Sequence, residues 1–187
     1  TWKKISDVKM PAGYSDYKFV GMELCAEKLL LFGHNYSNIL CIDLVNMNKF
    51  DMLDKTFNNS PEWIRFFAQS YVKNNNTIYL ANHLTNHLLK IDMNTFNYSW
   101  TRIGNNDRCD VGVISKDDDY WIVPINSNYN LVRWNESTGN ICEYEFSINM
   151  SNIWGSVEFF ERLYFYGPDD MMVIFNIENG KFESMRQ

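Results

Sequence analysis

One phrase returns four times along this chain, with a period of roughly 40–50 residues, and nothing else in the sequence restricts its folding as much. Its fixed point is a bulky apolar residue followed by Asp or Asn: Ile42-Asp43, Ile91-Asp92, Trp134-Asn135 and Phe175-Asn176. The layout around each pair also repeats. A hydrophobic run comes first, at residues 29–32, 78–81, 120–123 and 163–166. A polar loop follows, then a second run that ends on the pair, at 39–42, 88–91, 131–134 and 172–175. A turn leads to a third run, at 49–53, 97–103, 141–146 and 181–185. A further run precedes each unit: "KFVGMEL" from Lys18, "IRFFAQSYV" from Ile64, "DVGVIS" from Asp110 and "GSVEFF" from Gly155.

The runs are short, alternate with period two or are apolar throughout, and favour Ile, Val, Tyr, Phe and Trp, with Asn, Asp and Gly between them. That pattern predicts strands and no long amphipathic helix. Each unit therefore holds four antiparallel strands, A to D in chain order, at about 8–56, 57–104, 105–148 and 149–187. Four-stranded units of this length are the blades of a β-propeller. The expected fold is all-β: one propeller-type domain over 1–187 with four recognisable blades, either closed or part of a larger ring. "TWKKIS" at the start resembles the D strand "SWTRIG", which favours the larger ring.

The pivot Asp or Asn is expected to end strand C and accept backbone N–H groups of the C–D turn. Asn135 and Asn176 occupy the same slot as Asp43 and Asp92 without an ionisable group, which speaks against paired catalytic acids. The stretch "IYLANH…LLKIDMNTFNYSW" resembles propeller repeats of the kelch and PQQ-like kinds, with Trp100 in the strand D place of the latter. The Gly-Gly doublet of kelch is missing: strand B ends here on Phe32-Gly33, Ala81-Asn82, Pro124-Ile125 and Tyr166-Gly167. The resemblance implies a fold and little about function.

Charge narrows the partners. A net charge of −6 and a pI of about 5.0 do not suit nucleic acid or an anionic membrane, both of which call for a basic face. No apolar run approaches the roughly 20 residues of a membrane span. The four cysteines, Cys25, Cys41, Cys109 and Cys142, are far apart and lack metal-site spacing, so buried free thiols are expected. N-x-S/T sequons at Asn35, Asn58, Asn75, Asn97, Asn135 and Asn149 leave cytoplasmic and extracellular settings both open. Nucleotide-loop and zinc-protease motifs are absent, and no cofactor or metal is expected. "SKDDDYW" reads as an acidic hairpin tip, and "NNDRCD" lacks the oxygen ligands of a calcium loop.

Ligand contact is expected on the face built from the B–C loops and the D–A connections. Aromatic content is 16%, and Tyr14, Tyr17, Trp63 and Trp154 fall in or beside these segments, with amide-rich neighbours. Rings supply stacking area and amides adaptable hydrogen bonds, which suits a carbohydrate or a polypeptide. The three histidines, His34, His83 and His87, also fall in the B–C loops and read as surface groups. The favoured reading is a non-enzymatic binding or scaffold module that contacts its ligand through Tyr14, Tyr17, His34, Trp63, His83 and Trp154. The competing reading is a glycan-acting enzyme with Asp169, Asp170, Asp107 and His34 converging, and a third is a purely structural repeat. Self-association, or further blades of a longer chain, is a further expectation.

Overall fold

A computed structural model describes residues 19–54, 64–66, 71–104 and 108–184. The first sheet holds β1 (Phe19–Cys25), β2 (Lys28–Gly33), β3 (Ile39–Asp43) and β4 (Lys49–Asp51). The second holds β5 (Tyr71–Asn74), β6 (Thr77–Ala81), β7 (His87–Asp92) and β8 (Tyr98–Arg102). The third holds β9 (Asp110–Lys116), β10 (Asp119–Pro124), β11 (Leu131–Asn135) and β12 (Ile141–Tyr144). The fourth holds β13 (Gly155–Phe159), β14 (Arg162–Tyr166), β15 (Met172–Asn176) and β16 (Lys181–Ser184). In each sheet the strands pair antiparallel with their sequence neighbours, as A-B-C-D meanders. The described residues include no helix.

Local chemistry makes these blades. The A–B turns have two residues, with φ of +51° at Ala26, +52° at Asn75, +53° at Asp117 and +48° at Phe160. Turns of that hand match the twist of the strands they join. The C–D turns are built by the pivot residues as expected. Asp43 Oδ1 accepts from Val45 and Asn46 N–H, and Asp92 Oδ1 from Asn94 and Thr95 N–H. Asn135 and Asn176 accept from Thr138 and Asn179 N–H in the same way. Four residues past each pivot the chain turns left-handed, at Met47, Phe96, Gly139 and Gly180.

Alternation along strand B divides its side chains between two neighbours. Leu30 and Phe32 of the first blade join Ile78 and Leu80 of the second in one buried cluster. Tyr79 and Ala81 of the second join Tyr120 and Ile122 of the third. Trp121 and Val123 of the third join Leu163 and Phe165 of the fourth. Each blade thus turns one residue set to the blade after it and the other set to the blade before it. Phe32, Tyr79, Trp121 and Phe165 are all buried in these seams.

Three expectations need correction. Strand A of the second blade is β5, and Ile64–Phe66 lie outside any strand. Ile64 and Phe66 are buried in the first seam, but Phe66 N–H donates to Gly33 O and Arg65 N–H to Asn82 Oδ1. Their polar groups go to loops, so no ladder forms there. Of the cysteines, Cys25 and Cys41 are buried, whereas Cys109 and Cys142 are half-buried; all are free thiols. Cys142 is only half-covered because β12 is the outer strand of its sheet. The histidines are the third case. His34 and His83 are buried, and His87 opens β7 opposite Arg102.

Candidate functional site

At one end of the blades each D–A connection is laced between the B–C loops of two successive blades. Phe66 N–H donates to Gly33 O of the first blade, and Arg65 O accepts from His83 N–H of the second. The next connection repeats the stitch: Cys109 O accepts from Ile125 N–H at 2.8 Å. In the last, Ile153 N–H donates to Ile125 O at 2.6 Å and Trp154 N–H to Tyr166 O at 2.9 Å. These bonds give the loop face a fixed frame, and the side chains on it are pre-positioned.

His34 and His83 occupy equivalent positions in their B–C loops, one residue after Gly33 and Asn82. His34 Nδ1 lies 2.8 Å from Phe66 O, and His83 Nδ1 lies 2.9 Å from Asp110 O. A carbonyl only accepts, so Nδ1 carries the proton in both rings and leaves Nε2 as an acceptor. His34 Nε2 uses that capacity on Arg65 Nη2, at 2.5 Å. Burial holds the His83 imidazole below its ordinary range, with the Arg65 charge and His34 acting in the same sense, and keeps it neutral at pH 7.

Arg65 sits between these loops without a counter-charge: no described carboxylate pairs with it, and its buried Nε has no hydrogen-bond partner. A part-buried guanidinium carries a desolvation cost, and among the described residues no carboxylate offsets it. The contrast lies one connection further on. Arg108 and Asp110, both buried, pair at 2.7 Å, and Arg108 Nη2 also donates to Asn130 O at 2.8 Å. Burial pushes the Asp110 carboxyl up to about 6 against the pull of Arg108. That pair clamps the connection to the third blade and is internally satisfied. Arg65 has no such carboxylate partner among the described residues.

The remaining sequence candidates are dispersed. Trp154 is 59% exposed and lies beside Tyr166 at the start of the fourth blade. Asp169 and Asp170 are exposed on the B–C loop of the same blade, both with left-handed φ. His34, by contrast, is buried against Phe66 and Arg65 at the other end of the blade order. Tyr14, Tyr17, Trp63 and Asp107 lie outside the described residues. The described residues hold no group of three or more His, Cys, Asp or Glu side chains placed around a common metal position. Arg65 went unnoticed in the sequence; its only local signal is a cation between two apolar residues, Ile64 and Phe66, in a connection segment.

No family model matches the chain, and no curated protein matches it. Solved structures do. Virginiamycin B lyase from Staphylococcus aureus superposes with a TM-score of 0.66 at 15% identity, over 91% of this chain and 56% of the lyase. The extracellular domain of a one-component system from B. thetaiotaomicron gives 0.66 at 14% identity, over 96% of this chain and 23% of that one. The nidogen/laminin complex gives 0.57 at 9% identity, over 84% and 58%. The chain spans little more than half the length of the lyase, and less than a quarter of the sensor domain. At such identities the likeness is one of fold, and the fold is a β-propeller.

Proposed function

We propose that this chain is a non-enzymatic binding module that takes a carbohydrate or polypeptide on the face of B–C loops and D–A connections. Arg65 is the anchor, and it holds an anionic oxygen group of the ligand. The observation that carries this reading is the Arg65 guanidinium, which no described carboxylate neutralises, between two loops whose backbones are stitched in place. A guanidinium presents a planar fork of donors that matches a carboxylate, and a pre-formed frame spares the ligand the cost of ordering the site. His34 Nε2 accepts from Arg65 Nη2 and helps hold the guanidinium in place, and Trp154 adds exposed aromatic area on the loop face of the fourth blade.

A glycan-acting enzyme is the second reading, kept because one structural neighbour is a lyase. It requires Asp169, Asp170, Asp107 and His34 to act together. The binding reading is tested by probing glycan and peptide arrays with the wild-type chain, Arg65→Lys and Arg65→Ala. The expected result is capture of carboxylate-bearing probes, weakened about tenfold or more in Arg65→Ala and only partly restored by Arg65→Lys, which keeps the charge but lacks the fork. Equal capture by all three proteins removes Arg65 from the site. Turnover of a captured glycan moves the assignment to the enzyme.

A further inference from the structure

The seams between blades follow one rule, and that rule leaves two faces outside the described core clusters. In each seam the blade before contributes the second and fourth positions of its strand B, and the blade after contributes the first and third. The first blade therefore has a spare first-and-third set, Leu29 and Leu31. Met22 and Leu24 extend the same face, opposite Leu31 and Leu29 in the β1–β2 register. The fourth blade has a spare second-and-fourth set, Tyr164 and Tyr166. Val157 stands opposite Tyr164, and Met172 opposite Tyr166. None of these residues belongs to a described core cluster. Met22 is 63% exposed, Val157 57% and Phe159, on the same strand face as Val157, 58%. Apolar exposure on this scale, concentrated on two faces, is the mark of an interface and not of ordinary surface.

From this we infer that the chain associates head to tail with a second copy, the outer face of the fourth blade packing on the outer face of the first. Three observations favour that occupant. The two faces are the complementary halves of a seam this chain already makes three times. The contact is an apolar sheet-on-sheet packing of the same kind, so it needs no new chemistry. The chain matches only 56% of the lyase and 58% of the nidogen/laminin structure, so two copies supply about as much chain as one of those propellers. A head-to-tail contact joins different surfaces; in two copies it either closes a ring or leaves an end for a third. The inference is independent of the Arg65 reading, because the faces and the loop end are different surfaces.

Sedimentation velocity on the 187-residue chain over a wide concentration range, with Met22→Glu and Val157→Glu, tests it. Both side chains are exposed, so neither substitution threatens the fold, and circular dichroism confirms that it is intact. The wild type is expected to form dimers or larger species. Each variant alone is expected to be monomeric, because every contact needs one intact head and one intact tail. An equimolar mixture of the two variants is expected to recover a dimer and nothing larger, since it contains one intact head and one intact tail. A wild type that stays monomeric overturns the proposal. So does association that survives both substitutions, or that is lost in one variant only, which would mean like faces pairing. Failure of the mixture to recover a dimer overturns it too.

Discussion

Asn135 donates its side-chain amide to the Asp119 carboxylate at 2.9 Å, across the β10–β11 pair in which the two residues face each other directly. A carboxylate within hydrogen-bond reach, and not the residue directly opposite, separates the amide pivots from the acid ones. Asp43 faces Lys28, and Asp92 faces Thr77. Asn176 faces Arg162 and Lys181 but donates to Glu183 at 3.1 Å. Where a carboxylate stands next to the pivot, the pivot must donate as well as accept, and only the amide does both. Asn135→Asp is therefore expected to lose about 1–2 kcal/mol, although Asp is the native residue of two sister blades. Asp43→Asn is expected to change little. Urea unfolding of the two variants compares them, and equal midpoints would contradict this account of the pivots.

The left-handed residue of the C–D turns yields a stabilising change. Gly139 and Gly180 occupy it in two blades at no steric cost, whereas Met47 (φ +64°) and Phe96 (φ +59°) occupy it in the others. An L side chain there costs about 1–2 kcal/mol, against about 0.5–1 for the added freedom of glycine. Met47 is exposed, so Met47→Gly is expected to raise stability by about 0.5–1 kcal/mol. Phe96 packs on the first seam and carries the Lys28 ammonium 4.2 Å from its ring centroid. Phe96→Gly forfeits those contacts and is expected to show no gain. Thermal melts of both variants decide it.

Trp121 is 1% exposed, with Phe175 and Tyr144 rings at 5.3 and 5.7 Å from its own. Trp121→Ala is expected to cost about 3–5 kcal/mol. Its buried Nε1 has no partner, however. Trp121→Phe removes an unsatisfied donor along with some volume, and its cost is expected to be less than half that of the alanine. A phenylalanine variant as unstable as the alanine would mean that the indole N–H is satisfied in solution.

Two carboxyls make opposite contributions to the pH profile. Backbone N–H groups of Thr95 and Asn94 hold Asp92 below the usual range. Its contribution is present above the unfolded value of about 4 and is lost as pH falls through its lower folded value. Asp92→Asn keeps the turn, as Asn135 does, and is expected to lose less stability than wild type on acidification. Asp110 is the reverse, raised to about 6 by burial. The folded state holds its proton between about 4 and 6, so its contribution is full at low pH and declines as pH rises through that window. Melting temperatures of wild type and Asp110→Asn, measured from acid to neutral pH, are expected to differ by an amount that changes across that window. A difference independent of pH removes Asp110 from the titration.

The strands, the turns and the repeat were legible because each depends on residues close in the chain. Period-two runs marked strands B, C and D, and the pivot closes its turn on N–H groups two and three residues on at Asp43 and Asp92, and three residues on at Asn135 and Asn176. The burial of Phe32, Tyr79, Trp121 and Phe165 followed from their recurrence, which packing between units demands. The loop face was legible only as a set of segments. His34 meets Phe66 across 32 residues of chain and Arg65 across 31, and His83 meets Asp110 across 27. No local period encodes such meetings, so the two buried histidines read as surface groups and Arg65 as nothing at all. Ile64–Phe66 looked like a strand because its apolar residues do enter the core, but its N–H groups had loop acceptors that only the neighbouring blades supply. Side-chain alternation divided each strand into two faces from sequence alone. Which face meets the blade before and which the blade after was decided by the tertiary structure, because the order of packing is a property of how the sheets stack and not of any one of them.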